Sequence, residues 1–301
     1  MKRVLKWLGG LLGTLVIVLI TALAIIYTLT NNRMSKHYAV TVQSPPVLSG
    51  PQVLAEGERL YISRGCVDCH AKNLAGQTVV DDPIIGRFSG ANLTKGQGGI
   101  GGIFTDEDFV RAIRHGVGKE GEALIFMPST DFYAMANTEI ATLIAYIRSV
   151  PPVDKPSEKQ KPGPLSRLMF LLGEMPLMVT AELIDHSFKA EEVPVGVTRE
   201  YGRYLANGCT GCHGPGFSGG PIPGGDPSWP PAKNLTQDAT TGLKNWSEAD
   251  FIKAVQTGIR PDGSKIRPPM PWENFSKLTE TEVKAMWMFI STLPAKAEGG
   301  R

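Results

Sequence analysis

The hydropathy pattern is dominated by the amino terminus, where no residue from Trp7 to Asn32 is charged and Leu8 to Leu29 is mostly Leu, Ile, Val and Ala. A bilayer-spanning helix needs ~20 such residues, so residues 1–32 are predicted to form a membrane anchor. Lys2, Arg3 and Lys6 precede the run, which puts that end in the cytoplasm and everything after Arg33 outside. A cleaved secretory leader ending near Ala22-Leu23-Ala24 is the rival reading. Ile25, Ile26 and Tyr27 carry the run past that point and favour a retained anchor. Residues 33–51 turn polar and then proline-containing, as a tether would.

Apolar positions at helical spacing return in two blocks, 52–150 and 197–296, which predict two tandem helical domains and an all-α chain. Gln52 to Arg64 and Arg199 to Asn207 read as the first helix of each block. Thr105-x-x-Asp108 and Ser247-x-x-Asp250 resemble capping boxes, opening helices with apolar faces Phe109, Val110, Ile113 and Phe251, Ile252, Val255. Thr138 to Ser149 and Glu280 to Thr292 read as closing helices, with Tyr146 and Phe289 at one repeat position, crossing the first helices near Tyr61 and Tyr204. The linker 151–196 starts rich in Pro and Lys and continues as a broken apolar run, Leu165 to Val179, too short to span a membrane. It reads as a helix packed between the domains, or as a segment lying at a membrane interface or against a partner subunit.

A length of 301 residues suits two domains of ~150 residues or fewer. Gly 34 and Pro 23 imply many loops, which can wrap a flat apolar prosthetic group. Net charge is +2, and no basic cluster has the footprint of a nucleic-acid surface, which excludes that class of partner. The first block is acidic in balance and the second basic, a polarity that favours different docking partners.

The chemistry lies in Cys66-Val67-Asp68-Cys69-His70, which recurs as Cys209-Thr210-Gly211-Cys212-His213 and uses all four cysteines. Cys-x-x-Cys-His attaches a covalent haem: both thiols become thioethers and the imidazole becomes the proximal iron ligand. Two disulfides or a zinc site would not need histidine directly after the second thiol in both copies. Thioredoxin-like motifs belong to a βαβ pattern that this chain lacks. The sequence therefore predicts two haem c groups.

The repeat runs on through Asn92-Leu93-Thr94 and Asn234-Leu235-Thr236, which match a glycosylation sequon but read better as a duplicated structural corner. Met127-Pro128 and Met270-Pro271 follow, each methionine 57 residues after its motif histidine. A thioether sulfur is a neutral, soft ligand, so Met127 and Met270 are the predicted sixth ligands, with Met135 as competitor in the first domain. Met169, Met175, Met178, Met286 and Met288 read as packing. His37, His115 and His186 read as solvated or locally satisfied, since His115 has Thr257 as its repeat partner.

In this order the motifs resemble the class I cytochrome c modules of the cytochrome subunits of bacterial membrane-bound alcohol, gluconate and sugar dehydrogenases. The resemblance covers roughly residues 52–296. It implies a periplasmic, membrane-attached electron carrier with His70/Met127 and His213/Met270 haems and a redox partner protein: a dehydrogenase subunit, a quinol-oxidising complex or a terminal oxidase. Many such subunits carry three modules and a carboxy-terminal membrane helix, whereas this chain has two modules and an amino-terminal anchor. If both irons take two protein ligands, no site is left for substrate and the chain relays electrons. The alternative is a two-haem redox enzyme, a peroxidase or a sulfur-compound dehydrogenase, with one accessible iron.

Overall fold

The computed structural model describes residues 2–300. α1 (Lys2–Met34) is a 33-residue helix and the one helix among the described residues long and apolar enough to cross a membrane. Each module then follows one plan. In the first, α2 (Pro51–Ser63) leads into α3 (Cys66–His70), followed by α4 (Asp106–His115) and α5 (Asn137–Ser149). α6 (Pro164–Leu172) lies in the linker. The second module comprises α7 (Arg199–Ala206), α8 (Thr210–His213), α9 (Glu248–Thr257), α10 (Trp272–Phe275) and α11 (Glu280–Ile290).

Both predicted capping boxes form. Thr105 Oγ1 accepts from the Asp108 amide at 3.2 Å while Asp108 Oδ2 accepts from the Thr105 amide at 2.9 Å. Ser247 and Asp250 repeat this at the same two distances. Each box holds its helix start by about 1 kcal/mol. A third box, Thr279 with Glu282, starts α11 and buries the Glu282 carboxylate to 2% exposure.

Within each module the first helix crosses the closing helix at a glycine. A Cβ on Gly57 would sit 2.5 Å from Tyr146 Cβ, and one on Gly202 would sit 1.8 Å from the Ala285 carbonyl and 3.0 Å from Phe289 Cβ. Hydrogen at these positions lets the backbones touch. Tyr146 and Phe289 therefore do mark the crossings, and Tyr61 meets Tyr146 at 5.6 Å between ring centroids. The match of Tyr61 with Tyr204 does not hold in space. The glycines are the equivalent residues, so Tyr204 answers Arg59. Tyr61 and Tyr204 each lie five residues before their cysteine pair, but the turn before Cys66 is two residues longer than that before Cys209.

Among the described residues the fold is helical apart from isolated bridges and a three-stranded antiparallel sheet in the first module: β1 (Thr78–Asp82), β2 (Gly86–Ser89) and β3 (Lys161–Pro162). Asp82 Oδ1 accepts from the Ile84 and Ile85 amides at 2.8 and 2.7 Å and closes the β1–β2 turn. Each module has its own core, one around Leu60, Phe109, Leu143 and Ile144, the other around Leu205, Phe251, Val283 and Phe289. A third core joins Val40, Phe88, Val117, Phe170, Met178 and Val179. The segment read as a tether is thus laid along the first module: Val40 is buried, Tyr38 N bonds the Gly121 carbonyl at 2.8 Å, and Arg111 Nε bonds the Val40 carbonyl. α6 packs against α1 rather than between the modules.

Candidate functional site

Each Cys-x-x-Cys-His occupies a single short helical stretch, which places its two cysteines one turn apart and the imidazole directly after them. The imidazoles are oriented alike. His70 Nδ1 lies 2.8 Å from the Ala91 carbonyl and His213 Nδ1 2.6 Å from the Lys233 carbonyl. A carbonyl can only accept, so Nδ1 carries the proton and Nε2 keeps the lone pair that an iron requires. Burial holds His70 below the usual histidine range, so it is the neutral form that binds metal. Burial also pushes the thiols of Cys66 and Cys209 up to about 12 and that of Cys69 up to about 11. Redox-active dithiols need the opposite shift.

The Asn-Leu-Thr corners hold the loop that presents each histidine's carbonyl partner. Asn92 Oδ1 accepts from the Thr94 amide and hydroxyl, and its Nδ2 donates to the Val153 and Lys155 carbonyls at 2.8 and 2.9 Å. Asn234 does the same with Thr236 and the Lys296 carbonyl. All four side chains are fully buried, so the corner is a latch between the haem loop and the chain leaving the closing helix.

Met127 and Met270 sit in duplicate turns. Pro128 has φ −80° and ψ 55°, and Pro271 has φ −85° and ψ 58°. The methionine carbonyls accept from Ser129 N at 2.8 Å and Trp272 N at 2.9 Å, and a single helical turn follows in each case. In the second module the structure gathers Cys209, Cys212, His213 and Met270 around one cavity, with Leu205, Phe275, Leu278 and Met286 as apolar wall. Two thiols, an imidazole and a thioether in an apolar slot are the donor set of a c-type haem. The same residue types in the same local geometry are present in the first module.

One side of that cavity belongs to the first module: Arg64, Gly65, Pro128, Asp131, Phe132 and Met135 line it. Met135, the competitor for the first iron, therefore faces the second haem site from a buried position in the first module's core. The contact is pseudo-symmetric. Asp68, inside the first Cys-x-x-Cys, accepts from Asn274 Nδ2 at 2.7 Å, and Asn274 lies four residues after Met270. The reciprocal pair is Gly211, inside the second Cys-x-x-Cys, and Asp131, four residues after Met127, whose carboxylate lies 3.6 Å from where a Cβ on Gly211 would be. Further out, Arg59 pairs with Glu282 at 2.7 Å, while its equivalent Tyr204 donates its hydroxyl to Glu139, the repeat counterpart of Glu282. Arg64 completes the seam, bonding Glu139 at 2.8 Å.

These seam residues were missed in the sequence. Their signal was Glu139 and Glu282, two carboxylates at one repeat position on otherwise apolar helix faces. Of the two readings given for His115 and His186, the structure shows the local one: their Nδ1 atoms lie 3.2 Å apart, and burial holds His115 down to about 4 and lowers His186, so both are neutral at pH 7.

The chain matches the cytochrome c family over residues 54–151 and again over 200–294. It is similar to a dihaem cytochrome c-type protein of Cereibacter sphaeroides, with 26% identity over 83% of this chain and 91% of that one. It is also similar to the fructose dehydrogenase cytochrome subunit of Gluconobacter japonicus, with 35% identity over 30% of this chain and 20% of the subunit. A third relative is the cytochrome c subunit of a quinone alcohol dehydrogenase of Gluconobacter oxydans, with 31% identity over 40% of this chain and 26% of the subunit.

Proposed function

The chain belongs to the cytochrome c family and carries two covalently bound haem c groups, and on that premise we propose that it is a membrane-anchored, periplasmic electron relay. It takes electrons from a dehydrogenase or respiratory complex and passes them to a downstream acceptor. The haems, when bound, supply one-electron oxidation and reduction at iron. The chain's own residues do the rest. His70 and His213, oriented by backbone carbonyls, would give their imidazoles to iron, and Met127 and Met270 would supply the thioether sulfurs. A neutral sulfur donor favours the ferrous state and raises the potential.

The observation that carries this reading is the seam. The Asp68–Asn274 bond sets the haem-attachment turn of one module against the methionine turn of the other, and Gly211 against Asp131 does so in reverse. Phe132 and Met135 of the first module and Phe275 and Leu278 of the second line the cavity between the modules. Residues placed this way bring two redox centres together and leave a substrate no approach from that side. In this reading α1 is the anchor, and Lys2, Arg3 and Lys6 in its first two turns, by the positive-inside tendency, favour a periplasmic side for both modules.

The test is the spectrum of the purified full-length chain. Both ferric centres are expected to be low-spin with the near-infrared band of thioether ligation. Met127→Ala and Met270→Ala should each remove about half of that band and lower one potential, within the ~0.8 V range that axial ligands span. A high-spin ferric signal in the wild type, or turnover of peroxide, would instead support the two-haem enzyme.

A further inference from the structure

α6 turns its polar residues inward. Of its nine residues only Ser166 and Arg167 are polar, and both are buried, at 0% and 8% exposure, beside the buried Phe170. Arg167 lies 4.2 Å over the Tyr27 ring, and its Nη1 donates to Thr30 Oγ1 at 2.6 Å and Asn31 Oδ1 at 2.8 Å. Its Nε donates to the Pro162 carbonyl, and Ser166 donates to that of Gly163. Leu165, Leu168 and Leu172, at one-face helical spacing, point outward with 40%, 39% and 67% exposure. A helix facing water carries the opposite polarity. The stripe is widened by Ile84 and Ile85, 57% and 36% exposed, whose carbonyls accept from Leu165 N and Gly163 N.

What covers this face follows from where it is held. Among the described residues, the side-chain bonds from α1 to α6 come from Tyr27, Thr30, Asn31 and Arg33, in the last two turns of the apolar helix. Arg33 stacks 3.7 Å over the Phe170 ring and pairs with Glu182. The leucines are therefore at the level where α1 leaves the bilayer, beside its lipid-facing surface. Polar groups turned inward and leucines turned outward at that depth match an interfacial segment whose apolar side sits at the acyl boundary.

We propose that α6 and the Ile84–Ile85 turn form a lipid-embedded collar around the exit of α1, with Leu165, Leu168 and Leu172 in the outer-leaflet interface. The proposal rests on the reading of α1 as a membrane anchor. Phe170, Met178 and Val179 join the linker to Phe88, Val117 and Val40, so the collar holds the first module against the membrane instead of letting it swing.

The native cysteines are consumed by haem attachment, so an introduced cysteine is the free thiol for a spin label. Full-length holoprotein carrying Leu168→Cys or Leu172→Cys, labelled and reconstituted in phosphatidylethanolamine and phosphatidylglycerol vesicles, is measured with the haems reduced and diamagnetic. Leu19→Cys in α1 and Val47→Cys, 92% exposed beside the first module, are the references. The ratio of oxygen to nickel-chelate accessibility at positions 168 and 172 should be several-fold above that at 47 and close to that at 19. Water-like values at 168 and 172 with a lipid-like value at 19 would overturn the collar and leave the anchor standing. A water-like value at 19 would overturn the anchor and the collar with it. Exclusion of both reagents from 168 and 172 would mean that protein covers the face, which also refutes the proposal. Two labelled sites guard against one variant failing to fold.

Discussion

Asp131 shows how much a single side chain at the seam can carry. It lies in the wall shared by the two modules, and burial pushes its carboxyl up to about 6 from 3.8. A folded-state value above the unfolded one means that the folded chain holds the proton more tightly between pH 4 and 6. Stability contributed by this group is thus present below pH 4 and lost as pH rises through about 6, by up to about 3 kcal/mol. Asp131→Asn should flatten that part of the profile in denaturant titrations at pH 3.5 and 7 while leaving the pH 3.5 stability nearly unchanged. A profile identical to the wild type would show that the carboxyl reaches water. No sequence pattern predicted this. Its repeat partner Asn274 carries no charge, and an Asp four residues past a methionine reads as surface.

At the scale of elements, the paired helices of each module depend on contact distances that only glycine allows. Gly202→Ala places a methyl 1.8 Å from the Ala285 carbonyl and must separate α7 from α11. Overpacking of this kind costs typically 1–3 kcal/mol, and Gly57→Ala should cost a comparable amount at α2 and α5. Thermal unfolding of the two variants measures both, and an unshifted midpoint in either would show that the crossing yields. The helices themselves were legible because their starts are chemical: Thr105 with Asp108 and Ser247 with Asp250 satisfy donors that any helix leaves open. The small sheet was not, since β3 is two residues long and pairs with β2 only through the fold of the linker.

For the whole molecule the decisive contact is between modules. Glu282 is 2% exposed and is shared between its own capping box and Arg59 of the other module. Removing one partner of a buried pair leaves an uncompensated charge, so Arg59→Ala should destabilise the chain by ~3 kcal/mol. Adding Glu282→Gln should recover part of that loss, because the stranded charge is gone. Denaturant unfolding of the single and double variants measures the coupling, and additive effects would show that the pair does not bind the modules together.

The sequence by itself determined the covalent chemistry and the module plan. Cys-x-x-Cys-His acts within five residues, so its spacing is its geometry, and Asn-Leu-Thr and Met-Pro stand out because both recur at matching positions in the two modules, although the Asn side chains bond carbonyls about 60 residues further on. The apolar length of α1 is likewise a property of consecutive residues. Only the tertiary structure decided how the modules meet, that Tyr204 answers Arg59 and not Tyr61, that residues 35–50 lie along the first module, and that α6 wears its leucines outside. Those facts depend on which surfaces face one another. A local pattern reports whether a helix has an apolar side, but whether that side meets a core, a second module or a membrane is set by contacts between residues far apart in the chain.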